Sequence, residues 1–219
     1  MRLRPSAGVA EATSRTRSRS RPGAGTGGYR LRPDPRSLPS DGPAVQADLS
    51  PVIAATAQWL TRAFPATGGA LASALCEVQA RQAVTVAAWL RYPTAMDAAL
   101  LDLAGPGGSG RLDWVTGADA ALGEDMDAHA WRTWVDEVVA SWAACLLTEP
   151  ELAARAVAAL ADGSHGTAAP AGFRRLVAPD DSDRNAAVLL RHPDLLAPVA
   201  GLHQNQLLDR LNQGRTLIA

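Results

Sequence analysis

Apolar positions along the chain recur at three- and four-residue intervals rather than alternately, which is the signature of helices packed on one face. Residues 48–64 (DLSPVIAATAQWLTRAF) predict a first helix with Asp48 or Ser50 as its cap and Pro51 in the first turn, ending at Pro65. A second helix is expected over residues 70–92, after the Gly68-Gly69 break and before Pro93. Residues 94–105 predict a third, stopped by Gly105. Residues 111–117 (RLDWVTG) read as a short strand or an extended link.

The segment 123–147 is expected to be the longest helix, with acids in its first turn where the macrodipole favours them. At about 100° per residue, Trp131, Trp134, Val135, Val138, Trp142, Cys145 and Leu146 share one face; His129, Arg132, Thr133 and Asp136 share the other. The tryptophan stripe therefore reads as core rather than as a platform for stacking bases. A further helix is predicted over residues 150–163, with Pro150 in its first turn and Gly163 at its end. Residues 164–183 read as a loop that could hold a short strand, in which Ser182 or Asp183 caps the helix that follows.

Three similar phrases, AAWLRYP, AACLLTEP and AAVLLRHP, each set a helix end before a proline able to start the next helix. Their spacing is too irregular for a solenoid, so the phrases read as helix punctuation in a bundle with short connections. The fold class expected is mainly α: a helical bundle over residues 47–219 with at most a few short strands.

Composition supports this reading and bounds the chemistry. The chain has 219 residues, is 47% apolar, and draws that share from Ala, Leu and Val, with two Phe and two Tyr. Such a balance suits helix packing better than sheets. All 21 basic residues are Arg. A chain without Lys cannot supply a pyridoxal Schiff base, a P-loop lysine or a kinase lysine.

Charge is unevenly spread. Residues 1–46 hold nine Arg against three acids, a balance of +6, while the remainder stands at −7. The Arg, Ser, Pro and Gly content of residues 1–46 predicts a disordered basic tail. A solvated tail is the plain reading; contact with a nucleic acid, an anionic surface or an acidic partner is the alternative. Cys76 and Cys145 form no Cys-x-x-Cys pair, and two free buried thiols fit a reducing compartment. No apolar run reaches membrane-spanning length, and the N-terminus has no apolar signal core, so the expected location is cytoplasmic and without membrane contact.

Candidate sites are few. His129, His165, His192 and His203 show no metal-ligand spacing, so no metal or other cofactor is expected. Residues 105–110 (GPGGSG) carry glycines for an anion nest but follow no strand, and read as a helix-to-helix loop. Asp180, Asp181 and Asp183 could hold a cation, but helix capping is the simpler use.

The C-terminal segment is more informative. Pro198 predicts a restart or kink there. On a wheel started at Val199, an apolar arc through Ala200, Leu202, Leu207 and Leu211 also contains His203, Gln206 and Arg210, while Asn205 faces away with Asp209 and Asn212. A polar stripe within an apolar face either satisfies itself, as by a His203–Gln206 bond or a bond to a neighbouring carbonyl, or lines a site.

Residues 189–211, LLRHPDLLAPVAGLHQNQLLDRL, resemble the C-terminal end of the thiopeptide-type bacteriocin biosynthesis family, which includes the glutamate-elimination domain of lantibiotic dehydratases and the pyridine-forming cyclases. Members often close with a helix carrying His-x-Asn-Arg-Leu-Leu-Gly. His203, Asn205, Leu207 and Leu208 match; Gln206 replaces the Arg and Asp209 the Gly. The phrases MRLRP and YRLRP look like the family's Leu-Arg-Leu-Arg strand. The family's Tyr-Glu-Pro-Glu region has no counterpart, which points away from glutamate elimination and toward the cyclases.

The resemblance implies a tailoring protein acting without cofactor on a dehydrated ribosomal peptide, as a lyase or cyclase, with the modified precursor or a partner biosynthetic protein as its partner. His203 would be the catalytic proton-transfer or orienting group, with Gln206, Arg210 and Asn205 binding substrate. The alternative is a non-catalytic helical interaction module with a basic disordered arm.

Overall fold

A computed structural model describes residues 48–118, 127–161 and 170–216. The expected tail at residues 1–46, together with Gly163 and His165, lies outside the described residues. Those described are helical, with no strand among them: α1 Ser50–Ala63, α2 Gly69–Arg91, α3 Ala95–Ala104, α4 Gly110–Thr116, α5 Glu137–Thr148, α6 Pro150–Ala161, α7 Arg174–Val177, α8 Asp181–Ala186, α9 Pro193–Ala200 and α10 Gln204–Thr216, with 3-10 turns at Asp127–Trp134 and Pro170–Phe173. The mainly α fold is as expected. None of the described helices is long and apolar enough to cross a membrane.

Local chemistry sets most of the boundaries. Leu49, and not Asp48 or Ser50 as expected, is the cap residue of α1 and makes no side-chain cap bond; the Asp48 carboxylate before it accepts the Ser50 N–H at 2.9 Å, and Pro51 occupies the first turn. The Gly68-Gly69 break has two reasons. A Cβ on Gly68 would stand 2.7 Å from the Ala72 Cβ, and Gly69 adopts φ +82°. Thr94 and Asp97 form a reciprocal capping box that opens α3.

The core is built around α2, which packs on α1 and α5, and α9 packs on α5. Ala80, Ala83, Ala87 and Ala88 of α2 and Ala140, Ala143 and Ala144 of α5 are all buried. Small side chains at a helix contact let the axes approach, so the Ala-rich composition becomes close helix packing. Leu60, Leu112, Leu146, Leu176, Leu190, Leu196 and Leu207 fill the remaining core.

Four further expectations are corrected. Residues 111–117 are helical, closed by Gly117 in the left-handed region. The Pro170–Phe173 and Arg174–Val177 turns stand where a loop with a short strand was expected. The long helix over 123–147 is interrupted: a 3-10 turn ends at Trp134 and α5 begins afresh at Glu137, so α2 is the longest helix described. Asp136, expected on the solvent face, is buried at that break; it caps α5 through the Val139 N–H at 2.9 Å and accepts the Tyr92 hydroxyl. A capping carboxylate at the break replaces helix propagation, which periodicity alone does not foresee. The tryptophan stripe nonetheless packs on the core, with Trp142 buried and Trp131 and Trp134 half-buried against it.

The fourth correction concerns Pro198. It lies inside α9, and the chain turns three residues later, at Gly201–His203. The proline's missing N–H is tolerated in this eight-residue helix, which ends at Gly201, whose N–H is still bonded to the Ala197 carbonyl.

Candidate functional site

The turn between α9 and α10 is held by side chains of α5. Ser141 Oγ donates to the Ala200 carbonyl at 2.9 Å and accepts the His203 N–H at 2.9 Å. The Trp142 indole donates to the His203 carbonyl at 3.1 Å. A chain break between helices leaves carbonyls and N–H groups without helical partners. Here α5 supplies those partners, and in doing so fixes the backbone of His203.

The imidazole is fixed as well. His203 Nε2 lies 2.7 Å from Oε1 of Glu137, the first residue of α5, and the two side chains are 17% and 23% exposed. Arg111 of α4 donates to the same carboxylate oxygen at 3.2 Å from a position 61% exposed. The order Arg111–Glu137–His203 is thus a charged guanidinium, a carboxylate and an imidazole whose Nδ1 has no partner among the described residues. In the neutral tautomer that donates from Nε2 to the Glu137 carboxylate, Nδ1 carries the lone pair. That arrangement suits a proton acceptor at a partly exposed position.

No protein-family model matches the chain, and the curated proteins and solved structures give no significant match. What the arrangement can do rests on its geometry.

The other residues singled out in the C-terminal segment separate. Arg210 Nε donates to the Leu90 carbonyl at 3.2 Å and so closes the end of α2. Gln206 and Asn205 are exposed. Asn205 was expected to face away; Gln206 was not. The reason is the break at Gly201–His203. The expected arc took its centre partly from Val199 and Leu202, which precede α10. Within α10 the buried face is set by Leu207 and Leu211, and Gln206 lies about 120° from its centre. The His203 ring accordingly meets Glu137, rather than Gln206 or a neighbouring carbonyl, the two partners offered for a self-satisfied stripe. Glu137 and Arg111 were missed because they are distant in sequence and no motif joins them.

The remaining polar clusters are internal braces. Asp113 is buried; it accepts the Trp59 indole N–H at 2.8 Å, the Ser109 hydroxyl at 3.0 Å and two Arg132 nitrogens at 3.3 and 3.4 Å. It thereby ties α1, α4 and the 3-10 turn at Asp127–Trp134. Asp183 is fully buried against Arg175, and its own carbonyl accepts Gln79 Nε2 at 2.8 Å. Arg191 donates to the Gln79 side chain and to the carbonyls of Leu147 and Arg175.

Asp180, rather than Ser182 or Asp183, is the cap of α8, with Asp183 reciprocating. The hydrogen bond from the Asp183 N–H, with Arg174 and Arg175 adding to it, holds the Asp180 carboxyl below its ordinary value. Asp181 is exposed and pairs with Arg184, while Asp180 and Asp183 are engaged in the capping box. Among the described residues no three His, Cys, Asp or Glu side chains are grouped to hold a metal. The glycine-rich stretch links α3 to α4, with Gly105, Gly107 and Gly108 at positive φ.

Both cysteines are free and buried. Burial, and secondarily the Glu149 charge, push the Cys145 thiol up to about 12; burial raises Cys76 too, against the opposing charge of Arg191. Thiols held protonated are poor nucleophiles.

Proposed function

We propose that the protein is a tailoring component in the biosynthesis of a ribosomally made, post-translationally modified peptide. In this reading it acts on a dehydrated precursor in a cyclisation or elimination step, with His203 as the proton-transfer group. The observation that carries the proposal is the imidazole of His203, partly exposed and held by the Glu137 carboxylate at 2.7 Å. The resemblance of residues 189–211 to thiopeptide-type biosynthesis proteins supplies the substrate class, and it rests on the same histidine.

Each group has a separable task. Glu137 fixes the tautomer and orientation of the ring and stabilises the imidazolium that forms when Nδ1 takes a proton. Arg111 keeps that carboxylate aimed, and its exposed guanidinium has further donors for a peptide carbonyl. In an elimination, the Nδ1 lone pair accepts the α-proton while the C–H electrons form the double bond and the β-substituent leaves. In a cyclisation, the same ring takes the amide N–H proton of the peptide and returns it to the amide oxygen, so that no proton is gained or lost in the addition. Gln206 and Asn205, on the exposed side of α10, remain candidates for contact with the peptide backbone.

The test is conversion of a dehydrated precursor peptide followed by mass spectrometry. His203→Ala is expected to slow conversion by about a hundredfold or more, the usual contribution of a positioned acid or base. Glu137→Gln should give a smaller loss. Unchanged conversion by His203→Ala sinks the assignment.

A second reading, a helical interaction module, is favoured by one specific observation. Met96, Leu100 and Leu103 of α3 are exposed.

A further inference from the structure

The α3 helix is apolar on two opposite faces. Ala98 and Leu101 are buried inward, whereas Met96, Leu100 and Leu103 are 68%, 56% and 86% exposed. The exposed three stand at i, i+4 and i+7, a continuous stripe along the helix. At about 100° per residue, Asp97 and Asp102 fall one on each flank of that stripe. The helix carries no cation. It is also preformed, since the Thr94–Asp97 capping box opens it and Gly105 at φ +72° ends it.

An apolar stripe rimmed by acids, on a helix already folded, matches the way helices dock through anchors at i, i+4 and i+7. We propose that this face binds a helix of another protein whose apolar seam is flanked by Arg or Lys. Two physical arguments select that occupant. Three side chains offer less than the roughly 800 Å² per partner of a stable dimer interface, so the face suits a weaker, reversible contact with about two turns of a single helix. A second copy of α3 would also bring Asp97 and Asp102 against their own counterparts, and like charges across an interface disfavour association. The same acids disfavour an anionic membrane surface. This inference is independent of the peptide-tailoring reading, because none of its residues belongs to the His203 site.

The probe is a fluorescein-labelled synthetic helix of about three heptads with Leu at its seam and Arg at the flanking positions. Its counterpart carries Glu in place of Arg. Fluorescence anisotropy against the full chain should show the Arg peptide binding at least about tenfold tighter than the Glu peptide, with the preference shrinking as salt rises. Leu100→Glu with Leu103→Glu should abolish binding while leaving the far-ultraviolet circular dichroism unchanged, since both side chains are exposed. Asp102→Arg should erase or invert the preference; Asp97 is left alone because it caps the helix. Failure of both peptides to bind, equal binding of the two, or indifference to the Leu100 and Leu103 changes overturns the proposal. So does a dimer in sedimentation that the double Glu variant disperses, which would assign the face to a second copy. Flotation with phosphatidylcholine vesicles lost in that variant would assign it to lipid.

Discussion

Single side chains carry unequal weight in this molecule, and Asp113 carries much of it. Its carboxylate is the shared acceptor for the Trp59 indole, the Ser109 hydroxyl and the Arg132 guanidinium, and Arg132 Nε is already a buried nitrogen without a hydrogen-bond partner. Asp113→Ala would strand three donors, one of them charged. Removing one partner of such a buried pair typically costs about 3–5 kcal/mol, so the expected outcome is a large drop in the urea midpoint with the slope unchanged. At Cys76 and Cys145 the expectation concerns reactivity. Both thiols are buried with raised pKa. Ellman's reagent at pH 8 should find neither in the folded protein and both once it is unfolded in urea. Rapid labelling of the native chain would contradict the packing of α2 and α5. Of the individually named candidates, His203 and Arg210 point inward as the C-terminal pattern suggested, but Gln206 does not.

At the scale of elements, the α9–α10 turn depends on α5. Ser141 bridges the Ala200 carbonyl and the His203 N–H. Ser141→Ala would leave both without that partner in a partly buried place. The expected cost is about 1–3 kcal/mol, measured by denaturant unfolding, with greater hydrogen exchange in α10 than in α1. Gly68→Ala probes a different boundary. Its new Cβ would lie 2.7 Å from the Ala72 Cβ, so α2 has to shift, at about 1–3 kcal/mol. Helix starts were legible where they rested on short-range chemistry, as at Pro51 and Pro150. The break at Val135 and Asp136 was not legible, because Asp136 exchanges solvent for contacts with Thr56 and Tyr92, which are distant in sequence.

The whole molecule shows its coupling through alkaline pH. Burial and the Asp136 contact hold the Tyr92 phenol above its ordinary value of 10.0, and burial holds Cys145 above the ordinary 9.0. In the unfolded chain these groups lose their protons at the lower values, so above about pH 9 the unfolded state binds fewer protons than the folded one. Stability should therefore be full below pH 9 and fall progressively as pH rises through 10 and beyond. Urea midpoints across pH 8–11 check this, and Tyr92→Phe with Cys145→Ala should flatten the decline. A stability that rises with pH over that range would reverse the sign.

The residue order by itself determined the helical class, the starts of α1, α2, α3, α6 and α9, and the free cysteines. Each of these follows from local propensity, capping or a 3.6-residue period, which are properties of a few consecutive residues. Only the tertiary structure decided that His203 meets Glu137 and Arg111 and that Asp136 and Asp183 are buried. It alone also left Met96, Leu100 and Leu103 uncovered. Those outcomes depend on which helices lie against one another, because a buried charge is tolerated only where distant residues supply its partners, and an apolar face is exposed only where no other element reaches it.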